Sequence, residues 1–415
     1  MRAEIVHAAR ARASDLTAVF AVRPFALYSI GNVAMTNGLW MQRIALGWVV
    51  WELTGSEAWL GLVAFAELFP SIFTALFGGW LADRYPSTRV MFWGQVAGGL
   101  APLTLAILSW AGLLTPTLIL VLMCYFGAVM GALLPARLAM ASYLAPTPLL
   151  PAALAVNSMG FNVSRLLGPA LAAGLLIWAS AALVFALAAL SFLVLCWTLH
   201  AIRHVPRQAP AHPPGPPVDM ARVLADLVRT PAVFGVILLQ LAQGVLIRPA
   251  SELFPAYAEV SFGRGADGLG LLNAALGAGA IIGAVAFTRT QEGRAALVQI
   301  LSSAAVFAAS LLVFAVTGVF WLALLVLVVH GAAMTASNIA ALAYVQIQTP
   351  PERLGRVLSL YTIVFRVAPA LGAFTFGVTA EVAGLTATGL GFGIAGLAAT
   401  GLLALLILRP RVALS

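Results

Sequence analysis

The chain has 415 residues, of which 62% are hydrophobic and only 9% are charged, with a formal net charge of +8. A soluble domain of this size needs far more charge on its water-facing surface, so the composition excludes a soluble globular protein. All 22 basic residues are arginines, and their distribution along the chain points to membrane topology rather than to nucleic-acid binding.

Apolar runs long enough to cross a hydrocarbon core of about 30 Å recur along the whole chain. Six precede a break in composition, at about residues 25–51, 58–82, 90–111, 117–134, 152–178 and 181–199. Six more follow it, at about residues 232–257, 268–288, 295–317, 319–344, 355–380 and 386–408. We number these segments span 1 to span 12. They predict an all-α membrane protein with 12 transmembrane helices in two six-helix bundles.

The segments around the spans complete the predicted domain organisation. An N-terminal segment (1–24) precedes the first bundle (25–199), and a tail (409–415) follows the second (231–408). Residues 200–230 contain the run Pro213-Pro214-Gly215-Pro216-Pro217, which is typical of an extended linker. Within this linker, Asp219 is expected to cap a short amphipathic helix.

The arginines also predict the orientation of the chain. Seventeen arginines fall in the two tails and in the loops on one side of the predicted membrane. Only Arg264 falls in a loop on the other side. Because arginine is enriched in cytoplasmic loops, we expect both termini and the linker to be cytoplasmic. Span 1 is expected to be a retained span rather than a removed signal peptide. Cys124 and Cys196 lie within apolar runs and are expected to be free thiols.

The stretch between spans 2 and 3 is the main charged interruption of the first half. It reads Gly79-x-Leu81-Ala82-Asp83-Arg84-x-Pro86-x-x-Arg89. This resembles the loop between helices two and three of the major facilitator superfamily, with proline in the usual glycine position and one basic residue missing. The resemblance implies a cytoplasmic latch that rearranges as the transporter changes state, formed by Gly79, Asp83, Arg84 and Arg89. The alternative is a simple polar stop at a helix end.

The resemblance to this superfamily extends over residues 20–410. It implies two pseudo-symmetric bundles flanking a central cavity, with transport by alternating access. In span 5, Gly168 and Pro169 resemble the Gly-Pro motif of the proton antiporters of the superfamily. In span 7, the segment 248–256 resembles one that is common in the efflux branch that includes macrolide and enterobactin exporters.

An internal repeat supports two related halves. A shift of 205 residues aligns Gly78, Arg84 and Arg89 with Gly283, Arg289 and Arg294. A shift of 200 residues aligns 169–171 with 369–371, both Pro-Ala-Leu. The matches are few, but they fall in corresponding spans, as expected for parallel repeats.

Ionisable groups inside a bilayer are costly, so each needs a partner or a water-filled cavity. Arg43 and Glu67 share a depth of about 14 Å from one end of their spans, so they could form a hydrogen-bonded pair. One interpretation is a structural tie between neighbouring helices. The other is a coupling site, where Glu67 alternates between Arg43, a proton and substrate.

Other residues are candidates for the same substrate and proton pathway. Arg248 and Glu252 stand four residues apart in span 7, which on an α-helix places them on one side; the pair could equally stabilise the helix end. His330 could carry a proton, although a lone histidine in a packed helix is more often structural. The remaining candidates are Arg165, Arg366, Asn157 and Asn338, and the amides could equally form interhelical hydrogen bonds.

Four arginines within the spans outnumber the acids there, so a cavity that they line would have a positive potential favouring anionic substrates. With the resemblance, this predicts a proton-coupled antiporter that exports an organic, anionic, siderophore- or drug-like molecule from the bacterial cytoplasmic membrane. The alternatives are an importer of the same fold and a lipid-translocating or non-transporting membrane protein. We expect no enzymatic activity, no cofactor beyond the proton gradient, no bound metal or nucleic acid, and a monomer.

Overall fold

The computed structural model describes residues 17–205, 230–286 and 293–408, and every regular element in these ranges is helical. The helical bounds of the first half are Arg23–Thr54 (span 1), Glu57–Leu68 and Pro70–Arg84 (span 2), Ser87–Trp110 (span 3), Pro116–Leu144 (span 4), Leu150–Trp178 (span 5) and Ala181–Ala201 (span 6). The predicted N-terminal segment up to residue 16, most of the linker with Asp219, Arg289 and the tail lie outside the described residues.

The second half begins with a span that changes its helical type. Span 7 is α-helical over Pro231–Leu246 and continues through a 3-10 helix, a short α-helix and a π-helix, which are Arg248–Leu253, Phe254–Ala256 and Tyr257–Ser261. The other spans have the bounds Gly265–Ala286 (span 8), Gly293–Val316 (span 9), Phe320–Gln348 (span 10), Pro351–Ala383 (span 11) and Leu385–Ile407 (span 12).

Among the described residues, 11 segments are helical, long and apolar enough to cross a membrane, and they correspond to spans 2 to 12. The helix of span 1 has 32 residues, so at about 1.5 Å per residue it also exceeds the thickness of the hydrocarbon core. The predicted all-α membrane architecture is therefore confirmed.

The predicted end of span 4 was wrong. The sequence places it before Pro135, but the helix continues through this proline to Leu144. A proline inside a helix removes one backbone hydrogen bond, a loss that transmembrane helices tolerate when neighbouring groups re-satisfy the backbone. The continuation places Arg137 within the helix rather than in a loop.

Span 2 is interrupted at Phe69, between its two helices. Pro70 explains the interruption, because it has no N–H to donate to the preceding turn and its ring crowds the carbonyl four residues earlier. Span 2 therefore consists of two short helices that meet at a proline, where the sequence predicts a single run.

The contacts divide the chain into two compact units. The first unit contains the described residues up to Val49 and those from Phe69 to the end of span 6. The second contains Val50–Leu68 together with the described residues of the second half. The end of span 1 and the first helix of span 2 therefore pack with the second half of the chain. The predicted domain boundaries at the linker stay a prediction.

Within the second unit, the first helix of span 2 lies backbone-to-backbone on span 11. A Cβ atom at Gly61 would lie 2.2 Å from the carbonyl oxygen of Ala373, and one at Gly377 would lie 2.6 Å from that of Glu57. Small residues allow such close helix crossings in membrane proteins. These two glycines therefore fix the position of the 50–68 segment in its unit.

One helix contact occurs in both units and demonstrates the repeat. In the first unit, a Cβ atom at Gly78 of span 2 would lie 2.1 Å from the carbonyl oxygen of Ala132 in span 4. In the second unit, a Cβ atom at Gly283 of span 8 would lie 2.3 Å from the carbonyl oxygen of Ala332 in span 10. In each unit the glycine packs its span against the next span but one along the chain. This is expected if the two halves inherited the same helix packing.

The partner helices of these two contacts, spans 4 and 10, also carry a glycine where they cross spans 2 and 8. Gly131 of span 4 packs on the backbone of Ser71, and Gly331 of span 10 packs on the backbone of Leu276. By contrast, Gly79 has open space where a Cβ atom would be. The close approach is therefore made by Gly78, and Gly79, which the superfamily motif emphasises, has no packing role of this kind.

Candidate functional site

The clearest polar site within the second unit surrounds Arg248, at the point where span 7 changes from α-helix to 3-10 helix. Arg248 Nη2 donates hydrogen bonds to Gln240 Oε1, at 3.3 Å, and to Asn338 Oδ1 on span 10. Amide oxygens from two spans of the second unit therefore hold this guanidinium. We call the residues of this site the Arg248 cluster: Gln240, Gln243, Arg248, Ser337 and Asn338.

The remaining members of the Arg248 cluster form a buried hydrogen-bonded set beside the guanidinium. Gln243 Nε2 donates to Ser337 Oγ at 3.1 Å, and Ser337 Oγ lies 3.3 Å from Gln243 Oε1, in position to donate to it. Because buried amides are costly unless they are hydrogen-bonded, these contacts hold spans 7 and 10 in one relative position. Asn338 was predicted as a site residue, and Gln243 is an intramembrane amide of the kind that the sequence suggests could line a cavity, whereas the role of Ser337 emerges only from the structure.

An aromatic ring completes the surroundings of Arg248. Its guanidinium carbon lies 4.2 Å from the centre of the Phe365 ring on span 11, within the range of a cation–π contact. Arg248 as a whole is half-buried and Phe365 is exposed. A guanidinium positioned by amides and resting on a ring is suited to bind a planar carboxylate or phenolate through two parallel hydrogen bonds.

The pairing of Arg248 with Glu252 was predicted from α-helical spacing, and that spacing does not apply. Both residues lie in the 3-10 helix Arg248–Leu253, where side chains three residues apart eclipse each other rather than those four apart. Glu252 is half-buried. Its pairing with Arg248 stays a prediction.

A second cationic and aromatic site lies within the first unit. The guanidinium carbons of Arg43 on span 1 and Arg165 on span 5 lie 5.9 Å and 6.0 Å from the ring centre of Trp40. The two arginines also lie within electrostatic range of each other. Phe161 packs edge-on against the same indole, with ring centres 6.1 Å apart. We call these four residues the Trp40 cluster.

The predicted motif of span 5 explains how this cluster is assembled. A Cβ atom at Gly168 would lie 2.5 Å from Trp40 Cβ and 3.0 Å from the carbonyl oxygen of Asn37. Only glycine allows span 5 to approach span 1 this closely. Pro169 is buried within the helix of span 5. Beside it, Asn37 Nδ2 donates a hydrogen bond to Ser164 Oγ at 2.9 Å.

Arg137 is a residue that the sequence analysis missed. Its Nη2 donates to Thr36 Oγ1 at 3.0 Å and to Asn32 Oδ1 at 3.3 Å, linking span 4 to span 1 within the first unit. The analysis placed Arg137 in a loop because Pro135 was taken as the helix end. An arginine two residues beyond a proline, in a region that remains apolar on both sides, was the signal that could have identified it.

The structure places the other predicted pathway residues as follows. Arg43 belongs to the first unit and Glu67 to the second, and their pairing stays a prediction. Arg366 on span 11 is half-buried. Asn157 on span 5 is also half-buried, and its Oδ1 atom is enclosed with no hydrogen-bond partner among the described residues.

His330 has surroundings that favour its structural alternative. The ring is buried in span 10, with Nδ1 2.7 Å from Ser310 Oγ on span 9. Its other neighbour is the Phe307 ring, with ring centres 4.4 Å apart. A buried histidine that contacts a hydroxyl and an aromatic ring of the neighbouring helix ties the two helices together.

The predicted latch is mostly helical rather than a loop. Gly79, Asp83 and Arg84 lie in the helix Pro70–Arg84, and Arg89 lies in the first turn of span 3. The connection is only Tyr85–Pro86, and the Tyr85 N–H still donates to the carbonyl of Leu81 at 2.9 Å. Asp83, Arg84 and Arg89 are exposed. Their role as a latch stays a prediction.

Arg264, the exception in the arginine distribution, has a local explanation. It lies between Gly263 and Gly265, both with positive φ, and its guanidinium carbon lies 4.5 Å from the ring centre of Phe320 and 5.5 Å from that of Trp321. The aromatic rings at the start of span 10 therefore hold the positive charge of Arg264 near the beginning of span 8.

The cysteines and the other candidate metal ligands offer no additional site in the described part of the chain. Both cysteines are free, Cys124 exposed and Cys196 buried. Within residues 17–205, 230–286 and 293–408, no group of three or more His, Cys, Asp or Glu side chains could hold a metal ion.

A chain of long apolar helices with repeated packing in two units, and with positioned arginines inside its spans, is a membrane transport protein. A family model described as "Transmembrane secretion effector" matches residues 15–414. The chain therefore belongs to this family, a branch of the major facilitator superfamily, as its sequence motifs indicate. Its relatives are membrane transporters and not enzymes.

Curated relatives support this assignment over nearly the full chain. The enterobactin exporter EntS of Salmonella choleraesuis (strain SC-B67) is 27% identical over 415 residues, covering 94% of this chain and 91% of that protein. The enterobactin exporter EntS of Shigella flexneri is 28% identical over 413 residues, with the same coverage of 94% and 91%.

Solved structures show the same fold. The nucleoside transporter NupG has a TM-score of 0.71 at 14% identity, covering 93% of this chain and 100% of that chain. A D-xylose–proton symporter has a TM-score of 0.70 at 13% identity, covering 92% and 98%. At such low identity these likenesses establish the fold alone, which confirms the predicted major facilitator architecture.

Proposed function

We propose that this protein is a proton-coupled exporter of an organic anion, which works as a monomer by alternating access in the bacterial cytoplasmic membrane. Both termini would lie in the cytoplasm. The observation that carries the proposal is the Arg248 cluster, because it positions a guanidinium inside a transport fold. The relatives named as enterobactin exporters support the direction of transport.

The chemistry of the Arg248 cluster supports an anionic cargo. The amide oxygens that hold Arg248 are neutral groups, and their hydrogen bonds orient the guanidinium. Phe365 adds a flat apolar surface next to this charge. A carboxylate or phenolate attached to an aromatic ring would match both features at once.

The Trp40 cluster supports the same class of cargo from the first unit. Arg43 and Arg165 share one indole and lie within electrostatic range of each other. Two nearby positive charges in a poorly solvated site favour a bound anion, because the anion reduces their mutual repulsion. We therefore propose that this cluster also contacts the anionic part of the cargo.

Proton coupling requires a group inside the spans that exchanges protons. Glu67 and Glu252 are carboxyl groups within spans, and both are half-buried. Carboxyl groups at such positions commonly mark proton pathways in transporters. We propose that the proton gradient is the only source of energy, and that Glu67 is the principal coupling residue.

The first experiment compares metabolites in the cells and in the medium for a deletion strain and a complemented strain. We expect an aromatic acid or siderophore to accumulate inside the deletion strain and to be absent from its medium. Depletion inside the cells, with the compound left in the medium, would instead identify an importer. A change confined to lipid distribution would identify a lipid translocator and refute the proposal.

The second experiment tests the Arg248 cluster directly. Inside-out vesicles containing the full chain would be assayed for uptake of enterobactin, the cargo for which the relatives are named, and for proton efflux driven by it. Arg248→Gln should reduce uptake at least tenfold. Arg264→Gln is the matched control, because Arg264 also rests on an aromatic ring of the same unit. Equal effects of the two substitutions would remove the support from the Arg248 cluster.

A further inference from the structure

Spans 3 and 6 of the first unit each carry one stripe of exposed side chains. The stripe on span 3 includes Arg89, Trp93, Leu100, Leu103 and Trp110, at intervals of three, four or seven residues. Such intervals return to the same side of an α-helix. Because the stripe is apolar apart from its first residue, it faces the hydrocarbon core, and Arg89 stands at the end where span 3 begins.

The stripe on span 6 has the same pattern and runs in the opposite direction. It includes Leu183, Leu190, Leu193, Trp197 and His200. The Cys196 thiol donates to the carbonyl of Phe92 at 3.9 Å, so the end of span 6 lies beside the beginning of span 3. Trp93 and Trp197 are the next residues on the two helices, and both are exposed. The two tryptophans therefore lie at nearly the same depth.

Aromatic rings connect the two helices at this end. The centre of the Phe92 ring lies 5.3 Å from that of the Trp93 ring and 6.2 Å from that of the His200 ring. Arg203, which is exposed, donates from Nη1 to the His200 carbonyl at 2.9 Å. One continuous set of contacts therefore runs from span 3 to the end of span 6. We call this region the Trp93 surface: Arg89, Phe92, Trp93, Trp197, His200 and Arg203.

The Trp93 surface has the layers of a membrane interface. Arg89 lies four residues before Trp93 on the span 3 helix, which is about 6 Å closer to the helix end. Arg203 follows Trp197 by six residues and lies beyond the last residue of the span 6 helix. Tryptophan rings favour the headgroup level of a bilayer, and arginines near helix ends reach the phosphates. The apolar stripes, the tryptophans and the arginines therefore match the acyl chains, glycerol and phosphate of a phospholipid.

The first unit carries an excess of positive charge. Its described residues, 17–49 and 69–205, include seven arginines and one acidic residue, Asp83. This part of the chain therefore supplies at most one carboxylate for seven guanidinium groups. A lipid phosphate is an anion available at this depth, and a guanidinium binds it through two parallel hydrogen bonds. Zwitterionic lipids also carry an ammonium group that offsets the attraction, so an anionic headgroup fits this surface better.

We propose that the Trp93 surface binds an anionic phospholipid of the cytoplasmic leaflet. The guanidinium groups of Arg89 and Arg203 bind its phosphate, and Trp93 and Trp197 pack against its glycerol and upper acyl chains. The bound lipid holds the beginning of span 3 and the end of span 6 at a fixed depth. This binding goes beyond the proposed function, from which it takes only the topology that places these helix ends on the cytoplasmic side.

A photoreactive residue on the Trp93 surface would identify the lipid. The full chain would carry Ala201→p-benzoylphenylalanine, at an exposed position between Trp197 and Arg203. It would be held in nanodiscs made of phosphatidylglycerol and phosphatidylcholine in equal amounts. Mass spectrometry after illumination would give the ratio of the two lipid adducts. We expect phosphatidylglycerol adducts to exceed phosphatidylcholine adducts by about fivefold or more.

Two substitutions assign this preference to the arginines. Arg89→Gln and Arg203→Gln should each lower the adduct ratio by up to about fivefold, the contribution of one basic residue near an anionic surface. Arg203 lies outside the predicted latch between spans 2 and 3, so its result is independent of that role. Arg294→Gln is the matched control and should leave the ratio unchanged. Arg294 is exposed and equivalent to Arg89 in the repeat, but Val298 stands at the position equivalent to Trp93.

Equal amounts of the two lipid adducts in the wild-type protein would overturn the lipid site. A loss in Arg294→Gln as large as that in Arg89→Gln would also overturn it, because the preference would then come from general surface charge. Inorganic phosphate that displaces the lipid adduct more strongly than chloride of equal ionic strength would identify a site for soluble anions instead. Adducts to a protein rather than to a lipid in intact cells would identify a protein partner and refute lipid binding.

The adduct measurement needs neither cargo nor gradient, so it is independent of the transport assays. A strong phosphatidylglycerol preference in a protein that exports no anion would refute the proposed function and leave the lipid site standing. Normal export by a protein with equal adducts of both lipids would have the opposite meaning.

Discussion

The guanidinium carbon of Arg248 lies 4.2 Å from the centre of the Phe365 ring, so span 7 and span 11 meet at a cation on an aromatic face. This contact sits at the end of the α-helical part of span 7, where the chain changes to a 3-10 helix. The ring therefore supports a charge that the amides of the Arg248 cluster orient. The contact gives a direct way to weaken the site while leaving its charge intact.

We expect Phe365→Leu to weaken cargo binding without unfolding the protein. A cation–π contact contributes about 0.5–2 kcal/mol, which corresponds to an affinity change of about 2- to 30-fold. Binding of enterobactin to the purified protein would measure it. Trp321→Leu is the control, because Trp321 is exposed beneath Arg264. An unchanged affinity in Phe365→Leu would show that the ring does not support the binding site.

We expect adjacent glycines of span 2 to respond in opposite ways to alanine. Gly78→Ala places a Cβ atom 2.1 Å from the backbone of Ala132, so it should cost about 1–3 kcal/mol through overpacking. Gly79→Ala enters open space and should be neutral or stabilising by up to about 1 kcal/mol. Thermal unfolding in detergent would compare them. Equal melting temperatures would contradict the assigned contact.

The repeat predicts a matching result in the second unit. Gly283→Ala should destabilise the protein as Gly78→Ala does, because its Cβ atom would lie 2.3 Å from the Ala332 carbonyl oxygen. Gly391 of span 12, where a Cβ atom would meet open space, provides the control. If Gly283→Ala were harmless, the two halves would not share this packing.

We expect His330 to contribute to stability and not to proton coupling. His330→Gln should lower the melting temperature, because it removes the ring packed on Phe307 and alters the hydrogen bond to Ser310. The pH profile of transport should keep its shape. Ser310→Ala should have a similar but smaller effect on stability. A shifted or lost pH dependence in His330→Gln would restore the proton-carrier interpretation.

We expect Arg137→Gln to destabilise the first unit. Asn32 and Thr36 are buried and accept hydrogen bonds from Arg137, and leaving buried polar groups unsatisfied costs about 1–3 kcal/mol. Arg89→Gln is the control, since Arg89 is exposed in the same unit and surface changes are usually within about 0.5 kcal/mol. Melting temperatures measured in the same detergent would test this, and equal values would contradict it.

The number and order of the spans could be predicted from the sequence, because the length of an apolar run is fixed by the thickness of the bilayer. Spacing in the sequence also identified Gly78 and Gly283 as equivalent positions, and their contacts confirm this. The sequence does not reveal which of the neighbouring residues Gly78 and Gly79 faces the next helix. Adjacent residues differ by about 100° around a helix, and only packing determines the rotation.

Two predictions about the candidate site failed because the backbone conformation could not be read from the neighbouring residues in the sequence. In a soluble protein a proline at the position of Pro135 would usually end the helix, so the sequence analysis placed Arg137 in a loop. In the structure, the helix continues past Pro135 and includes Arg137. The predicted Arg248–Glu252 spacing assumed an α-helix, whereas this segment is a 3-10 helix. The continuation past Pro135 depends on neighbouring groups that re-satisfy the backbone, and the sequence does not show which groups these are.

The assignment of Val50–Leu68 to the second unit has a consequence for biosynthesis. Ser56 and Glu381, which meet at the beginning of span 2, are 325 residues apart in the sequence. The glycine face of this early helix must therefore remain uncovered while most of the chain is still being made. Non-local contacts of this kind form late, because a long loop has to close first.

A nascent chain truncated before span 11 would consequently expose Gly61 and its neighbours, which the complete protein covers with Ala373. Such a bare helix surface is a feature that membrane chaperones and proteases could use to distinguish unfinished chains from finished ones. The same contact that closes the second unit would thus also mark the completion of the polypeptide.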